Sequence, residues 1–179
     1  MMTAVISKSA ADKAKLIVGG LKRAGIDLVA TLPDAWLTDL LETINADRAM
    51  TMVRVTREDE GVGICAGAFL GGRKGAVVAQ NAGMLLSTNA LAGLAMHHQI
   101  PLLMLLAQRG GPDDNQYYQI YKGKVTIPVV NAIGLPNHVV HGPEDYHLIE
   151  QSSRQAFLAR MPVVLLFTRQ ALLGDGEGP

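Results

Sequence analysis

Cysteine is almost absent from this sequence: among 179 residues there is one, Cys65. A single thiol cannot form an intramolecular disulfide framework or the ligand set of a Cys-based zinc site. Aromatic side chains are scarce at 4% (three Phe, one Trp, four Tyr), so the core must be built from Val, Leu, Ile, Ala and Met. Neither sign of charge prevails, with 16 Lys plus Arg against 16 Asp plus Glu. No basic stripe could neutralise a phosphate backbone, which argues against a nucleic-acid partner. No uncharged apolar run reaches the 18 or so residues needed to span a membrane. The first 15 residues, MMTAVISKSAADKAK, lack the apolar stretch of a secretory signal. These absences make a cytoplasmic chain the expectation.

What is present is 49% hydrophobic residues in a length that suits one domain, residues 1–179, with the Gly-rich end at 174–179 expected to fray. Disordered, collagen-like and coiled-coil classes are excluded by the same composition. Zero formal charge with a mean hydropathy of +0.20 is more apolar than a lone soluble domain needs, and such surfaces are often interfaces.

Hydrophobic periodicity alternates along the chain. Helical spacing is read over residues 9–24, 35–46, 58–70, 83–97 and 143–159, with a further short helix over 124–133 despite Pro128. Short apolar runs suited to buried strands fall at 26–31, 50–55, 75–80, 100–107, 137–140 and 162–168. Six strands alternating with helices predict an α/β fold: three layers, αβα, around a six-stranded, mostly parallel sheet joined by right-handed crossovers. Ligands of open parallel sheets bind beyond the carboxyl ends of the strands. Those ends nominate Thr31 to Asp34, Thr56 to Glu58, Gln80 and Asn81, and Gln108 to Gly110, the last opening a polar loop of about fifteen residues. His97 and His98 end a helix and so belong at the opposite edge; a helix C-terminal cation is their better reading.

The most informative stretch is TREDEGVGICAGAFLGG, residues 56–72. It begins as an ordinary helix start would, with Thr56 as N-cap and acids in the first turn. Asp59 and Glu60 suit that role, whereas Glu58, Val62, Cys65 and Phe69 share one face, so Glu58 ends an apolar stripe. A carboxylate there is costly unless protonated or partnered. The opposite face carries Glu60, Gly63, Gly67 and Gly71, a small-residue stripe open to a close neighbour. A helix start and a functional carboxylate both remain open on these residues alone. Other motifs fail. No GxGxxG follows the first strand and no P-loop or HExxH occurs. Ser87 is not in a GxSxG elbow, and Cys65 reads as a small buried hydrophobe. No metal ligand set is expected in this chain.

The order of LPDAWLTDLLETI, REDEGVGICAGAFLGG, VAQNAG followed by Asn89-Ala90-Leu91, and IPLLMLLAQRG resembles the pyrimidine-binding domain of thiamine-diphosphate-dependent 2-oxo acid decarboxylases. Within that family the likeness is to sulfopyruvate decarboxylase alpha subunits, with phosphonopyruvate decarboxylase a near relative, and it runs from about Ala14 to Thr168. The family begins its helix with a glutamate and places a glycine nine residues later, a spacing that Glu58 and Gly67 satisfy and Glu60 does not. The resemblance implies that Glu58 hydrogen-bonds the cofactor's aminopyrimidine ring and favours its imino tautomer, and that Pro33, Gln80 and Asn81 also bind cofactor. It implies a substrate pocket at Asp34, Ala35, Leu85, Leu86, Gln108 and Arg109. It further implies thiamine diphosphate as cofactor, with Mg²⁺ and the diphosphate held by a separate beta subunit in an alpha2beta2 or larger assembly. The Gly-Asp-Gly triplet at 174–176 resembles that second domain's motif but has only three residues after it. Relatives carry Ser where this chain has Ala35, and Gly-Asn where it has Leu85-Leu86, which points to a more apolar 2-oxo acid. A carboligase subunit, or a non-catalytic flavodoxin-like regulatory module, would also suit the fold.

Overall fold

The structure is a computed structural model that describes residues 8–173. The tail expected to fray and its Gly-Asp-Gly triplet lie outside the described residues. In chain order the elements are α1 (Ala10–Arg23), β1 (Leu28–Thr31), α2 (Thr38–Ala46), β2 (Thr51–Arg54), α3 (Glu58–Leu70), β3 (Gly75–Gln80) and α4 (Asn81–Ala90). There follow β4 (Leu103–Ala107), α5 (Ile120–Ala132), β5 (Asn137–Val140), α6 (His147–Ala159), β6 (Val163–Phe167) and α7 (Arg169–Leu172).

The six strands form one sheet in the order β2-β1-β3-β4-β6-β5, and every pairing is parallel. Alternation along the central strands sorts their side chains between two cores. Leu103, Leu105 and Ala107 of β4, with Val163, Leu165 and Phe167 of β6, join the core beneath α1, α2, α6 and α7. Met104 and Leu106, with Val164 and Leu166, join the core beneath α3, α4 and α5. Strands buried on both faces explain why these segments read as continuous apolar runs. The connections that step back along the sheet, β1 to β2 and β5 to β6, pass over the first face. Those that step forward, β2 to β3, β3 to β4 and β4 to β5, pass over the second. One crossover hand requires that division. The chain reverses its direction of travel beside β1, so β1 and β3 flank the crevice in which open α/β sheets hold ligands.

Three details differ from the sequence expectation. The helix expected from residue 83 starts at Asn81 and passes at Leu91–Met96 into a wider π-helical turn. The loop after β4 is shorter than expected, because a 3-10 turn at Tyr117–Gln119 leads directly into α5. Pro128 lies inside α5 and obscured its pattern in the sequence. Finally, α7 is a single turn capped by Thr168, whose hydroxyl accepts from the Ala171 N–H at 3.2 Å. Four residues are too few for periodicity to show.

Candidate active site

The carboxyl edge of the sheet gathers the starts of α3, α4 and α5 and the loops after β1 and β4. At the first of these, α3 begins with Glu58, only 6% exposed, above the buried Val62 and Cys65. Of the face expected from the sequence, Glu58, Val62 and Cys65 are buried, whereas Phe69 is half-buried against the Phe157 ring. Burial also pushes the Cys65 thiol up to about 12, which makes it inert as a nucleophile. Thr56 is not the N-cap; Arg57 is, and the Arg57–Asp59 pair lies outside on the surface. Glu60 takes the capping role, accepting from the Thr56 and Arg57 N–H groups at 3.0 and 3.3 Å and from the Thr56 hydroxyl at 3.0 Å. Those bonds, the Thr56 N–H first, hold the Glu60 carboxyl below its ordinary pKa.

Glu58 is treated differently. No hydrogen bond or ion pair reaches its carboxylate from the described residues, although the oxygens keep a path to solvent. Its side chain lies against α4 at Gly83, where a Cβ would stand 2.7 Å from Glu58 Cδ and Oε1. Glycine at 83 is what makes room for the carboxyl. The first turn of α4 also offers it the positive end of a helix dipole. On the opposite face of α3, Gly63 and Gly67 are exposed, and a methyl group added at either would meet no atom within 4 Å, which leaves that side open.

The second group is a buried ion-pair cluster. Arg109, 5% exposed, extends from the end of β4 to Asp34 after β1, with Nη1 at 2.9 and 3.1 Å from the two carboxylate oxygens. Its Nε and Nη2 meet Asp114 at 2.8 and 3.1 Å, and its guanidinium stacks 4.3 Å from the centre of the Trp36 ring. Asp114 accepts further from the Gly110 and Gln116 N–H groups at 2.9 and 3.0 Å. Burial lowers the Arg109 pKa, but Asp114 and Asp34 outweigh it and hold the guanidinium above its ordinary value. Burial likewise raises Asp114, and Arg109 with the two N–H groups outweighs it, so that carboxyl stays below its ordinary range.

Asn81 is 0% exposed and ties three elements together. Its amide nitrogen donates to the Arg109 carbonyl at 3.1 Å and to Thr126 Oγ1 at 2.9 Å, and its oxygen accepts from the Arg109 N–H. Both N–H donors are consumed within the chain, so this side chain holds β3, β4 and α5 in register. Close backbone approach completes the junction: Gly110, at φ +84°, lies against the carbonyl of Gln119, and Gly123 against that of Arg109. Gln80 is half-buried, and its Oε1 accepts from Gln119 Nε2 at 2.9 Å. Gln108 donates to the Gly123 carbonyl at 3.3 Å and buries its own Oε1 without a partner among the described residues.

The remaining nominated residues lie around this edge. Pro33 and Asp34 line a cleft of about 220 Å³ with Thr38, Leu41 and Arg54. Ala35 is exposed at the start of a short 3-10 turn. Leu85 is half-buried and packs against the core beneath α3, α4 and α5, whereas Leu86 is 44% exposed, so of the two Leu86 is the more open to a ligand or partner. A larger cleft of about 460 Å³ lies at the other edge of the sheet, on Arg23, Lys74 and Phe157. His97 and His98, which precede β4, are remote from the carboxyl edge as expected. Sequence reasoning missed Gly83, Asp114 and Gln119. The glycine of VAQNAG was a usable signal for the first, whereas nothing in GGPDDNQYYQ distinguishes the other two. Among the described residues no group of three or more His, Cys, Asp or Glu is placed to hold a metal ion.

Comparison with known proteins places the chain in a family. Residues 12–124 match the family model "Thiamine pyrophosphate enzyme, N-terminal TPP binding domain". A protein named sulfopyruvate decarboxylase subunit alpha from Methanocaldococcus jannaschii is 36% identical over 152 residues, covering 84% of this chain and 90% of the relative. Its counterpart from Methanococcus maripaludis is 35% identical over 144 residues, covering 80% and 86%. A phosphonopyruvate decarboxylase from Streptomyces viridochromogenes is 34% identical over 113 residues, 62% of this chain but 28% of the relative. In fold, 94% of the chain superimposes with a TM-score of 0.71, at 19% identity, on 30% of a chain in 2-oxoglutarate:ferredoxin oxidoreductase from Magnetococcus marinus. With more than half its length matched, this chain belongs to the family of N-terminal TPP-binding domains of thiamine pyrophosphate enzymes.

Proposed function

We propose that the chain is the alpha, pyrimidine-binding subunit of a two-subunit thiamine-diphosphate-dependent 2-oxo acid decarboxylase of the sulfopyruvate and phosphonopyruvate decarboxylase type. The observation that carries this reading is Glu58: a buried carboxylate with no partner among the described residues, seated against Gly83 at the ligand-binding edge of the sheet. An unpaired buried carboxylate is costly, and a bound group that supplies its hydrogen bond removes the cost. The aminopyrimidine of thiamine diphosphate is such a group, and the glycine-lined cradle leaves room for the carboxyl to reach it.

When bound, thiamine diphosphate supplies the carbon nucleophile and accepts the electrons released with carbon dioxide. This chain's share is to bind, orient and exclude water. Glu58 holds a hydrogen bond, and through it a proton, at the aminopyrimidine ring nitrogen. Val62 and Cys65 keep water from the inner side of that carboxyl. Gln80 and Pro33 border the same crevice, and Asn81 acts from behind by fixing the ends of β3 and β4. Asp34 and Arg109 shape the pocket wall as a paired unit, and Gln108 sits beside them.

Relatives at 35–36% identity carry the name subunit alpha, which supports a partner subunit for this chain. In this reading the partner is a beta subunit that holds Mg²⁺ and the diphosphate, and the assembly is alpha2beta2 or larger. The exposed Gly63 and Gly67 offer a face on which another backbone can approach closely. Ala35 and Leu86 present apolar groups where relatives carry Ser and Asn, so an apolar 2-oxo acid is the substrate in this reading ahead of sulfopyruvate. The test is carbon dioxide release from a panel of 2-oxo acids, with Mg²⁺ and cofactor, by this chain alone and after co-expression with its partner. Release by the complex only, fastest with a branched-alkyl or phenyl 2-oxo acid, is expected. Turnover by the single chain would overturn the two-subunit reading, and preference for sulfopyruvate would overturn the apolar pocket.

A further inference from the structure

Gln119 stands at the end of the 3-10 turn that leads into α5, 3% exposed and behind the Gln80 side chain it bonds. Its Nε2 donates to Gln80 Oε1 at 2.9 Å, while its own Oε1 is sealed from solvent without a partner among the described residues. This arrangement is polarised. Exchanging the two amide groups of Gln119 would bury an unpaired NH₂ instead of an unpaired carbonyl, and orphaned buried N–H groups are the rarer and costlier defect. Gln119 is therefore the donor and Gln80 Oε1 the acceptor. Gln80 is half-buried; its Nε2 has no partner among the described residues and is not sealed. The Gln80 amide thus gives its carbonyl to Gln119 and leaves both N–H donors without a partner among the described residues, at the N-terminus of α4, three residues before the Gly83 that lies against Glu58.

We propose that Gln119 is a positioning residue that sets the polarity of the ligand-facing end of Gln80, so that the carboxyl edge presents N–H donors to an acceptor atom on the bound ligand. The proposal rests on the reading of this edge as the cofactor and 2-oxo acid site. Without the lock, the Gln80 amide turns freely and presents a carbonyl for part of the time. With a carboxylate at 119, Gln80 must direct its NH₂ inward and its carbonyl outward. The acceptor it meets belongs to the cofactor ring or to the 2-oxo acid, and the measurement distinguishes them.

The test uses the assembled complex and four variants: Gln119→Glu, Gln119→Leu, Gln80→Ala and the double variant Gln119→Glu/Gln80→Ala. The dissociation constant of thiamine diphosphate is read by calorimetry in the presence of Mg²⁺, and KM and kcat are read with the preferred 2-oxo acid. Gln119→Glu is expected to raise one of the two, Kd or KM, about tenfold, the equivalent of losing one hydrogen bond to a charged or strongly polar acceptor, with kcat changed by less than about twofold. Gln119→Leu should fall between wild type and Gln119→Glu. In the Gln80→Ala background Gln119→Glu should add nothing, because its effect passes through Gln80. A rise in Kd assigns the acceptor to the cofactor and a rise in KM to the substrate. No change in either, or an effect that persists in the Gln80→Ala background, would overturn the proposal. If Gln119→Glu fails to assemble, Gln119→Leu with and without Gln80→Ala makes the same comparison. A wild-type complex that binds cofactor but releases no carbon dioxide would instead count against the proposed function, with the Kd measurements still deciding the role of Gln119.

Discussion

At the end of β4, Arg109 is buried and its guanidinium is fully engaged, by Asp34 on one side, Asp114 on the other and the Trp36 ring against its face. At the start of α3, Glu58 is about as buried, and nothing in the described residues pairs with it. Both groups lie at the same edge of the same sheet. Folding therefore had the means to satisfy a charge there and did so for only one of them. A paired buried charge holds two loops together, whereas an unpaired one is a standing cost that a ligand can relieve. The contrast separates the part of the edge that is architecture from the part that awaits a partner.

Breaking the paired region should show most in stability. Arg109→Met would leave Asp34 and Asp114 buried without a cation, and a loss of about 3–5 kcal/mol is expected. Chemical denaturation of the chain against wild type measures it. A loss below about 1 kcal/mol, the range of an exposed pair, would mean that the cluster contributes little.

Gly83→Ala sharpens the same contrast from the other side. Gly83 lies in the first turn of α4, where alanine's preference over glycine is at most the about 1 kcal/mol of a helix interior. The alanine methyl would also occupy the place of the Glu58 carboxyl. Turnover of the complex should fall at least tenfold, as misplaced catalytic groups usually dictate, while the denaturation midpoint holds or rises. A fall in both together would show that Gly83 serves packing alone.

The smallest effect is on the acid limb of stability. Asp114 has its pKa lowered from 3.8, so its contribution is complete above that value and is lost as pH falls through the lowered one. A plot of unfolding free energy against pH should therefore steepen below about pH 4. Asp114→Asn should lower stability at neutral pH and remove that part of the slope. An unchanged slope in the variant would assign the acid limb to other carboxylates.

The sequence made the strands and the buried face of α3 readable because each is a local pattern: a run of apolar residues, or apolar residues repeating at helical spacing. Glu58 stood out for the same reason, as a carboxylate at the end of an apolar stripe. Strand order was not readable, since the chain's reversal beside β1 is a tertiary choice with no local signature. The start of α5 was hidden by Pro128 and by exposed Tyr117, Tyr118 and Tyr121, which interrupt the amphipathic pattern. Arg109 and Asp34 were nominated as pocket residues because they follow strands. Nothing local reveals that the second aspartate of GGPDDNQ closes a cluster around that arginine. Gln119 was overlooked because its meaning lies in Gln80, thirty-nine residues away.

The central claim, that Glu58 is kept unpaired for a ligand, is tested most directly by Glu58→Gln beside Glu60→Gln in the assembled complex, with turnover and denaturation midpoint read on the same preparations. Glu58→Gln should reduce turnover by about 10²–10⁴-fold, the usual contribution of a general acid or base, and leave the midpoint unchanged, because no hydrogen bond or ion pair among the described residues is lost with the carboxylate. Glu60→Gln should leave turnover within about twofold of wild type and lower stability by no more than a weakened helix cap does, about 1 kcal/mol. Turnover that survives Glu58→Gln, or that is lost with Glu60→Gln instead, would contradict the account.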